Sequence, residues 1–438
     1  MAEQHPPRRP TRSPGGRDLP VPPEEQEKKR DLFRTAGLLM ILAQIPAVAT
    51  LSVALQKLWE LLPQTRPITW LEALGLLLPF LLWWNLGMFI YLSAALPERP
   101  LSRPVLYGLI LPFFCWFVTT ALLLPAGPLL LLSGWLLELL LPSHLLVPWL
   151  QHVVLGVGVG ALCMGFYAVH VRRHWVQVTT LPIEIPGLPA SFDGYRIVQL
   201  SDLHIGNFAR LKTLEKWVRL AHAQKPDLIV LTGDLLASGD DFIPTLTAGL
   251  QQLHAPDGVA YCPGNHDYWS SAVLFPALER AGVQVLRNAG RYLVRRDELI
   301  YLAGVDDTWT RQHDLKAALA ARFEPVPTVL LAHDPALFPQ ATRQGIALTL
   351  SGHTHGGQWA IPFVPAWNLS ARVFPYTVGL YQQAGSKLYV NRGLGTTGPP
   401  ARIGAAPELS VFVLRPAPAL PAPDRPPREK VGSTTSTT

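Results

Sequence analysis

The stretch Ser351-Gly352-His353-Thr354-His355-Gly356-Gly357-Gln358 places two imidazoles one residue apart between glycines. Glycine lets the backbone turn sharply and come close to a bound ion, and histidine is a frequent metal ligand. Alone, the octapeptide fits either a solvated loop or a pair of ligands for two adjacent metals. Four earlier segments favour the metal interpretation: Asp202-Leu203-His204, Gly233-Asp234, Gly264-Asn265-His266-Asp267 and Ala332-His333-Asp334.

Each of these segments follows a short apolar run that is typical of a buried β-strand. The predicted strands are Tyr195–Leu200, Asp227–Leu231, Val259–Cys262, Thr328–Leu331 and Ala347–Leu350. An amphipathic helix is predicted after the first strand, because Leu214, Trp217, Val218 and Ala221 recur at helical spacing. Loops at the carboxyl ends of strands in α/β sheets converge on ligands. The pattern therefore predicts an α/β domain with one shared site.

The candidate ligands are carboxylates, an amide oxygen and imidazoles, and they suit divalent metals such as Mn²⁺, Fe or Zn²⁺. Two such ions about 3.5 to 4 Å apart grip the attacking and leaving oxygens of a displacement at phosphorus and lower the pKa of bound water. A structural zinc site is usually closed and rich in thiolates, and none of the three cysteines lies in these segments. We therefore expect a catalytic site with two divalent metal ions.

The order and wording of these motifs resemble the calcineurin-like metallophosphoesterase superfamily over roughly residues 190 to 415, and in particular its bacterial membrane-associated branch. Leu200-Ser201-Asp202-Leu203-His204, Gly304-Val305-Asp306-Asp307 and Gly352 to Gln358 carry the resemblance to that branch. It implies a four-layer αββα sandwich and a metal-dependent phosphoric ester hydrolase. Some members of the branch cleave the pyrophosphate of UDP-diacylglucosamine in lipid A synthesis.

Matched position by position, the resemblance also implies a role for each residue. Asp202, His204 and His355 would hold one metal, Asn265, His333 and His353 the other, and Asp234 would bridge the two. His266 would contact the phosphate and protonate the leaving oxygen, and Asp267 would help to hold that loop.

Other polar residues near these motifs have weaker assignments. Arg392 and Arg402 are candidates for contact with substrate phosphate, because guanidinium groups suit phosphate oxygens, and surface arginines in a turn are the alternative. Asp306 and Asp307 either line the pocket or cap a turn.

The composition of the chain indicates a membrane protein. Of 438 residues, 49% are hydrophobic and only 16% are charged. A membrane-spanning helix needs about 20 predominantly apolar residues. Four runs are long enough: Gly37–Leu55, Ala73–Leu96, Val105–Leu124 and Leu145–Val169. A fifth run, Leu129–Leu141, follows two prolines and is predicted to be a re-entrant or interfacial segment.

Basic residues beside the spans predict the orientation, because they favour the cytoplasmic side. With the N-terminus inside and four spans, most basic residues that flank the spans lie in the cytoplasm: Arg8, Arg9, Arg12, Lys28, Lys29, Arg30, Arg34, Arg99, Arg103, Arg172 and Arg173. Lys57 and Arg66 are the exceptions. The prediction is a multi-pass protein of the plasma (inner) membrane with a cytoplasmic catalytic domain. If Leu129–Leu141 crossed as well, this domain would lie outside.

The predicted organisation has five parts. Residues 1–34 form a disordered basic and Pro-rich tail, 35–171 a transmembrane region of about four helices, and 172–190 a linker. The phosphoesterase domain occupies 191–415, and 416–438 form a second disordered tail. The net charge of +6 comes from the tail and the flanks of the spans, so we expect anionic lipid and no nucleic acid as a partner.

The expected activity is hydrolysis of a phosphomonoester, phosphodiester or pyrophosphate bond. The membrane half favours a lipid-linked substrate, since tethering raises the effective concentration of a site near the bilayer. Two alternatives stay open: an anchored enzyme that acts on soluble nucleotides or phosphoproteins, and a membrane transporter or sensor with a regulatory phosphoesterase domain. The sequence does not predict the oligomeric state.

Overall fold

The computed structural model describes residues 23–60, 66–93, 99–141, 143–323, 326–361 and 364–417. The helices of the first half are α1 (Pro23–Glu60), α2 (Trp70–Ser93), α3 (Arg103–Val105), α4 (Leu111–Glu138) and α5 (Ser143–Phe166). A π-helical turn, Leu106–Ile110, joins α3 to α4, and short turns continue α5 to His174. Within the described residues, four helices are long and apolar enough to cross a membrane: Ile41–Glu60, Trp70–Met88, Arg103–Gly134 and Trp149–His174.

Two predictions for this half are wrong. Leu129–Leu141 is not a separate segment, because α4 continues through Pro125 and Pro128 to Glu138. Proline interrupts a helix less in an apolar bundle, where packing against neighbouring helices holds the chain. Here Gly127 lies against Pro46 and Thr50 of α1.

The second wrong prediction concerns the amino-terminal tail. Residues 23–34 were predicted to be disordered but belong to α1, whereas residues 1–22 lie outside the described part of the chain. In the sequence, Glu24 and Glu25 precede Lys28 and Lys29 by four residues, a spacing that favours helix formation.

Among the described residues, fourteen strands and five α-helices follow. The strands are β1 (Gln177–Ile185), β2 (Arg196–Leu200), β3 (Leu228–Thr232), β4 (Val259–Cys262), β5 (Val283–Val285), β6 (Ala289–Arg295), β7 (Glu298–Gly304), β8 (Thr328–Leu331), β9 (Leu348–Ser351), β10 (Ala360–Ile361), β11 (Val364–Asn368), β12 (Gly379–Gln383), β13 (Ser386–Val390) and β14 (Glu408–Pro416). The helices are α6 (Leu211–Ala223), α7 (Ile243–Leu250), α8 (Ser271–Arg280), α9 (Leu315–Ala318) and α10 (Phe338–Arg343).

Twelve of these strands form two six-stranded sheets, in the orders β1-β14-β2-β3-β4-β5 and β12-β13-β9-β8-β7-β6. The inner faces of the two sheets form one core, in which Val230 and Cys262 of the first sheet share a cluster with Leu331 and Leu350 of the second. Helices α6, α7 and α8 pack on the outer face of the first sheet, and α9 and α10 cover the second. The predicted αββα sandwich is confirmed.

The boundaries of the domain differ from the prediction. Strand β1 lies inside the predicted linker and pairs in parallel with β14 from Gln177 and Glu408 to Ile185 and Pro416. Its sequence was not recognised as a strand because Pro182 and a run of polar residues interrupt the apolar pattern. The first sheet therefore begins three residues after the fourth candidate span ends at His174. Residues 418–438, most of the predicted second tail, lie outside the described part of the chain.

Candidate metal centre

The candidate ligands come together at the edge where five strands end. Asp202 and His204 follow β2, Asp234 follows β3, and Asn265 follows β4, all in the first sheet. The second sheet contributes His333 after β8 and, after β9, His353 and His355. The centre thus bridges the ends of both sheets, and the core between them fixes the loops relative to each other.

A first cluster contains Asp202, His204 and His355, whose ligand atoms lie within 4.8 Å of one another. His355 Nε2 lies 3.4 Å from Asp202 Oδ1 and 3.0 Å from His204 Nε2. Ligand atoms about 2.1 Å from one tetrahedral metal ion are themselves about 3.4 Å apart. All three side chains are buried, so the spacing and chemistry of this cluster fit a metal ion.

A second cluster contains Asp234, His333 and His353. His353 Nδ1 lies 3.2 Å from His333 Nε2 and 3.1 Å from Asn265 Oδ1. His333 Nδ1 lies 2.7 Å from the Thr232 carbonyl oxygen, so this nitrogen carries the proton and donates it. Nε2 of His333 therefore faces the other members of the cluster, and it is the nitrogen that would bind a metal, as is usual when the other ring nitrogen of a ligating histidine donates to a carbonyl oxygen.

Asp234 belongs to the second cluster, and it also forms a group with His204 of the first cluster and with His266. Its Oδ2 atom lies 3.5 Å from His204 Nε2 and 3.4 Å from His333 Nε2, while Oδ1 accepts the main-chain N–H of His266 at 2.9 Å. The carboxylate is thereby oriented with one oxygen between the two histidines. This geometry fits a ligand that bridges two metal ions.

The backbone at the centre is strained in a consistent way. Asp202, His204, Asp234, His353 and His355 all have positive φ, between 43° and 72°. Residues other than glycine rarely adopt this region, and it costs of order 1–3 kcal/mol at each position. Close packing of glycines adds to the constraint, since a Cβ on Gly264 would lie 2.3 Å from Asp234 Oδ1 and one on Gly352 2.3 Å from Asp202 Oδ2. Tertiary packing holds these loops in backbone conformations that the local sequence alone would not adopt.

Burial sets the protonation of the ligands. It lowers the pKa of His204 to about 3 and of His353 to about 4, so these imidazoles are neutral and can bind metal without losing a proton. Burial likewise raises the pKa of Asp202 to about 6. Burial would lower the pKa of His333 too, but the adjacent Asp234 raises it well above its ordinary value. A metal cation between these groups would offset the buried negative charge of Asp234, the charge that raises the pKa of His333.

His266 and Asp267 occupy different positions. His266 is partly exposed beside the first cluster, with its ring 4.9 Å from that of His204 and its Nδ1 3.0 Å from the Ala237 carbonyl oxygen. Asp267 is fully buried, and its Oδ1 accepts the N–H groups of Leu235 and Leu236. Its Oδ2 accepts the Tyr261 hydroxyl and the Gly264 N–H. Asp267 therefore positions the loops and does not face substrate.

The two candidate phosphate contacts are engaged elsewhere. Arg402 is fully buried, and its guanidinium donates to the carbonyl oxygens of Arg392, Gly393 and Gly395 and lies 3.4 Å from His355 Nδ1. Arg392 is 8% exposed and binds Glu408 through Nε at 2.9 Å. Both guanidinium groups thus have acceptors within the protein, as burial requires, and their contact with substrate phosphate stays a prediction.

The two neighbouring aspartates also have partners within the protein. Asp306 binds Arg287, and Asp307 accepts the Trp309 N–H in a turn. The sequence left open whether these aspartates line the pocket or cap a turn. Asp307 caps a turn, whereas Asp306 forms an ion pair.

Sequence reasoning missed the aromatic side chains around the centre. The Trp269 ring lies 4.7 Å from the ring of His266, and the rings of Trp309 and Phe374 lie 5.6 and 5.2 Å from that of His353. Trp269 and Trp309 are more than half exposed. Trp309 follows Asp307 by two residues and Trp269 follows His266 by three. This proximity in the sequence was the available signal.

Comparison with known proteins agrees with the fold and the centre. The family model for the calcineurin-like phosphoesterase matches residues 195–357. The chain is 35% identical over 272 residues to an uncharacterised metallophosphoesterase of Bacillus subtilis, YkuE, and the match covers 59% of this chain and 94% of that protein. It is 35% identical over 259 residues to a Bos taurus transmembrane protein with a metallophosphoesterase domain, covering 55% of this chain and 57% of that protein.

A Danio rerio protein of the same description is 33% identical over 256 residues, with 55% of this chain and 58% of that protein covered. The chain thus spans little more than half the length of these two vertebrate relatives. Given the extent of the bacterial match, the chain belongs to the calcineurin-like phosphoesterase family and is a metal-dependent phosphoric ester hydrolase.

Substitution Asp267→Asn tests the positioning role. The amide nitrogen of asparagine would face N–H donors in place of an acceptor, at a cost of about 1–3 kcal/mol. We expect a lower Tm and weaker metal retention during dialysis, both measured on the purified full chain. The control is Asp241→Asn, which removes an exposed carboxylate and should change neither. Unchanged Tm and metal content in Asp267→Asn would contradict the role.

Proposed function

We propose that the protein is a membrane-anchored phosphoesterase with two divalent metal ions that hydrolyses a phosphoester or pyrophosphate bond of a lipid-linked substrate. The observation that carries the hydrolytic part is the Asp234 carboxylate, whose Oδ2 lies within 3.5 Å of a histidine from each cluster. Asp202, His204 and His355 would hold one ion and Asn265, His333 and His353 the other, and Asp234 would be a ligand to both. When bound, the ions neutralise charge on phosphate oxygens and lower the pKa of water.

His266 is the proposed proton donor to the leaving oxygen. Its Nδ1–H donates to the Ala237 carbonyl oxygen, so the proton that would pass to the leaving oxygen is the second proton of the imidazolium, on Nε2. The ring is partly exposed beside the first cluster, unlike the buried ligands. A histidine that is anchored through one nitrogen can transfer a proton through the other, and such catalysis contributes about 10² to 10⁴-fold.

Contacts with the membrane helices support a lipid-linked substrate. The ring of Phe208, four residues after His204, packs edge-on against Phe114 of α4 with 5.7 Å between centroids. The Trp359 ring, four residues after His355, lies 6.0 Å from that of Phe117, also on α4. Loops that carry metal ligands are thus continuous with loops that contact a candidate span. A substrate held in the bilayer needs little displacement to reach such a centre.

An apolar segment lies next to these contacts. Its described parts, residues 359–361 and 364–374, begin at Trp359 against α4 and end at Phe374, whose ring contacts that of His353. Between them, Trp367 and Val373 are 68% and 74% exposed. Exposed aromatic and aliphatic side chains are costly in water but suit acyl chains and the membrane interface. We propose that this segment guides the lipid part of the substrate, with the domain on the cytoplasmic side of the plasma membrane.

Substitution Asp234→Asn tests the two-metal centre. It keeps the shape of the side chain but removes the bridging charge, so both metals should bind more weakly. With Mn²⁺ and bis(p-nitrophenyl) phosphate, we expect at least about a hundredfold lower kcat/KM, together with fewer than two metals per chain by elemental analysis. Asp241→Asn serves as the control for an exposed carboxylate. Wild-type turnover in Asp234→Asn would refute the proposed centre.

Substitution His266→Gln tests the proton donor. A p-nitrophenolate leaving group needs little protonation, whereas an alkoxide needs a proton as the bond breaks. We expect kcat to fall by about 10² to 10⁴-fold for an alkyl phosphoester and much less for a p-nitrophenyl ester, with metal content unchanged. Equal losses on both substrates would assign His266 to binding or to structure.

Trp367→Ala combined with Val373→Ser tests the lipid part. We expect at least about tenfold lower kcat/KM for UDP-diacylglucosamine or another lipid pyrophosphate in mixed micelles. Turnover of bis(p-nitrophenyl) phosphate should stay within about twofold. A control pair, Val294→Ser with Phe323→Ala, removes exposed apolar side chains elsewhere. If the Trp367 and Val373 double variant kept wild-type activity on both substrates, a soluble nucleotide or phosphoprotein would be favoured as substrate.

A further inference from the structure

A second site lies between the end of the fourth candidate span and helix α6. It is a cavity of about 150 Å³, with Arg173 and His174 on the membrane side and Lys212, Thr213 and Lys216 on the α6 side. About 10–15 Å³ suffices for one water molecule, so the cavity admits a phosphate-sized group with its hydration. We propose that this cavity binds the phosphate of an anionic lipid headgroup.

The charge of the cavity favours an anionic ligand. Three basic side chains, Arg173, Lys212 and Lys216, line the cavity, and none of the described residues that line it is acidic. Like charges that converge without a counterion repel one another. A phosphate at this place would reverse that repulsion and accept hydrogen bonds from all three side chains.

The donors are also held in place. Arg173 donates through Nε to the Val169 carbonyl oxygen and through Nη1 to that of Phe208. Lys216 Nζ donates to the His174 carbonyl oxygen at 2.9 Å, which keeps its ammonium group at the cavity wall. Side chains fixed in this way lose less entropy when a ligand binds. The 13-residue helix α6 begins at Leu211, so its positive end adds to the field at Lys212 and Thr213.

Position identifies the source of the phosphate. The fourth candidate span ends at His174, and the next residue, Trp175, is 64% exposed with the Arg172 guanidinium 5.8 Å from its ring. Tryptophan beside arginine at the end of a span is typical of the level of the lipid headgroups. Basic pockets between membrane segments at this level bind anionic headgroups. The cavity therefore faces lipid phosphate at high local concentration.

Occupancy of the cavity would reach the metal centre through one loop. Leu394, Gly395 and Thr396 form a further wall of the cavity. On its other side this loop donates the Gly395 N–H to the Asp202 carbonyl oxygen at 2.7 Å, and Arg402 binds the Gly395 carbonyl oxygen at 2.6 Å. A bound headgroup would stabilise the loop that supports a metal ligand. This consequence rests on the proposed function, whereas binding itself does not.

The experiment measures lipid binding without turnover. Full-length protein in detergent is titrated with short-chain phosphatidylglycerol, with short-chain phosphatidylcholine, and with glycerol 3-phosphate as the soluble competitor. We expect saturable binding of phosphatidylglycerol, at least tenfold weaker binding of phosphatidylcholine, and little competition by glycerol 3-phosphate. Lys212→Gln combined with Lys216→Gln should weaken phosphatidylglycerol binding at least tenfold, which corresponds to about 1.4 kcal/mol.

A matched control separates the cavity from surface charge in general. Lys316→Gln combined with Arg343→Gln also removes two cations, from helices α9 and α10 that cover the second sheet. It should leave lipid binding unchanged. Equal losses in both double variants, or equal affinity for the two lipids, would overturn the proposal. If glycerol 3-phosphate competed as effectively as phosphatidylglycerol itself, the phosphate would not need to come from a lipid. The cavity would then be assigned to a soluble phosphate ester.

Discussion

The position of the Asp234 carboxylate is the constraint on which the catalytic domain depends. One oxygen must lie between His204 and His333, which come from different sheets, while the other accepts the His266 N–H. A charge at this depth is unfavourable unless cations and donors surround it. The sandwich brings the ends of both sheets to one edge. The packing of β2, β3 and β4 against β8 and β9 therefore positions the candidate ligands as well as stabilising the fold.

Strain at the ligands shows how much the core contributes. Five ligand residues have left-handed backbone conformations that their side chains disfavour. At about 1–3 kcal/mol each, their combined cost is comparable to the whole stability of a typical domain. Packing between the sheets, the four hydrogen bonds accepted by Asp267 and the carbonyl oxygens bound by Arg402 offset this cost. Rigid ligands bind metal without a further loss of entropy, so the strain serves preorganisation.

The sequence predicted the strands well where burial is complete. Val259–Cys262 and Thr328–Leu331 match β4 and β8, because strands buried on both faces are continuous apolar runs. The seven candidate ligands were predicted for a related reason, since each follows such a run. The partners of Arg392 and Arg402 within the protein were not predicted, because a guanidinium that satisfies backbone carbonyls and one that binds phosphate look alike in sequence. Strand β1 and the uninterrupted α4 were missed, because prolines outweighed a tertiary context that only the folded chain supplies.

Arg402 links the membrane half to the chemistry. Its main-chain N–H donates to the Ala168 carbonyl oxygen at the end of the fourth candidate span, and its guanidinium lies beside His355. Asn207, three residues after His204, likewise accepts the Leu101 N–H and donates to the Arg99 carbonyl oxygen just before α3. The loop after His204 is therefore attached to the segment before α3, and the His355 loop is joined to the fourth candidate span through Arg402, by hydrogen bonds that burial strengthens. These contacts join the first cluster to the part of the chain that holds the candidate spans, so its support extends beyond the two sheets.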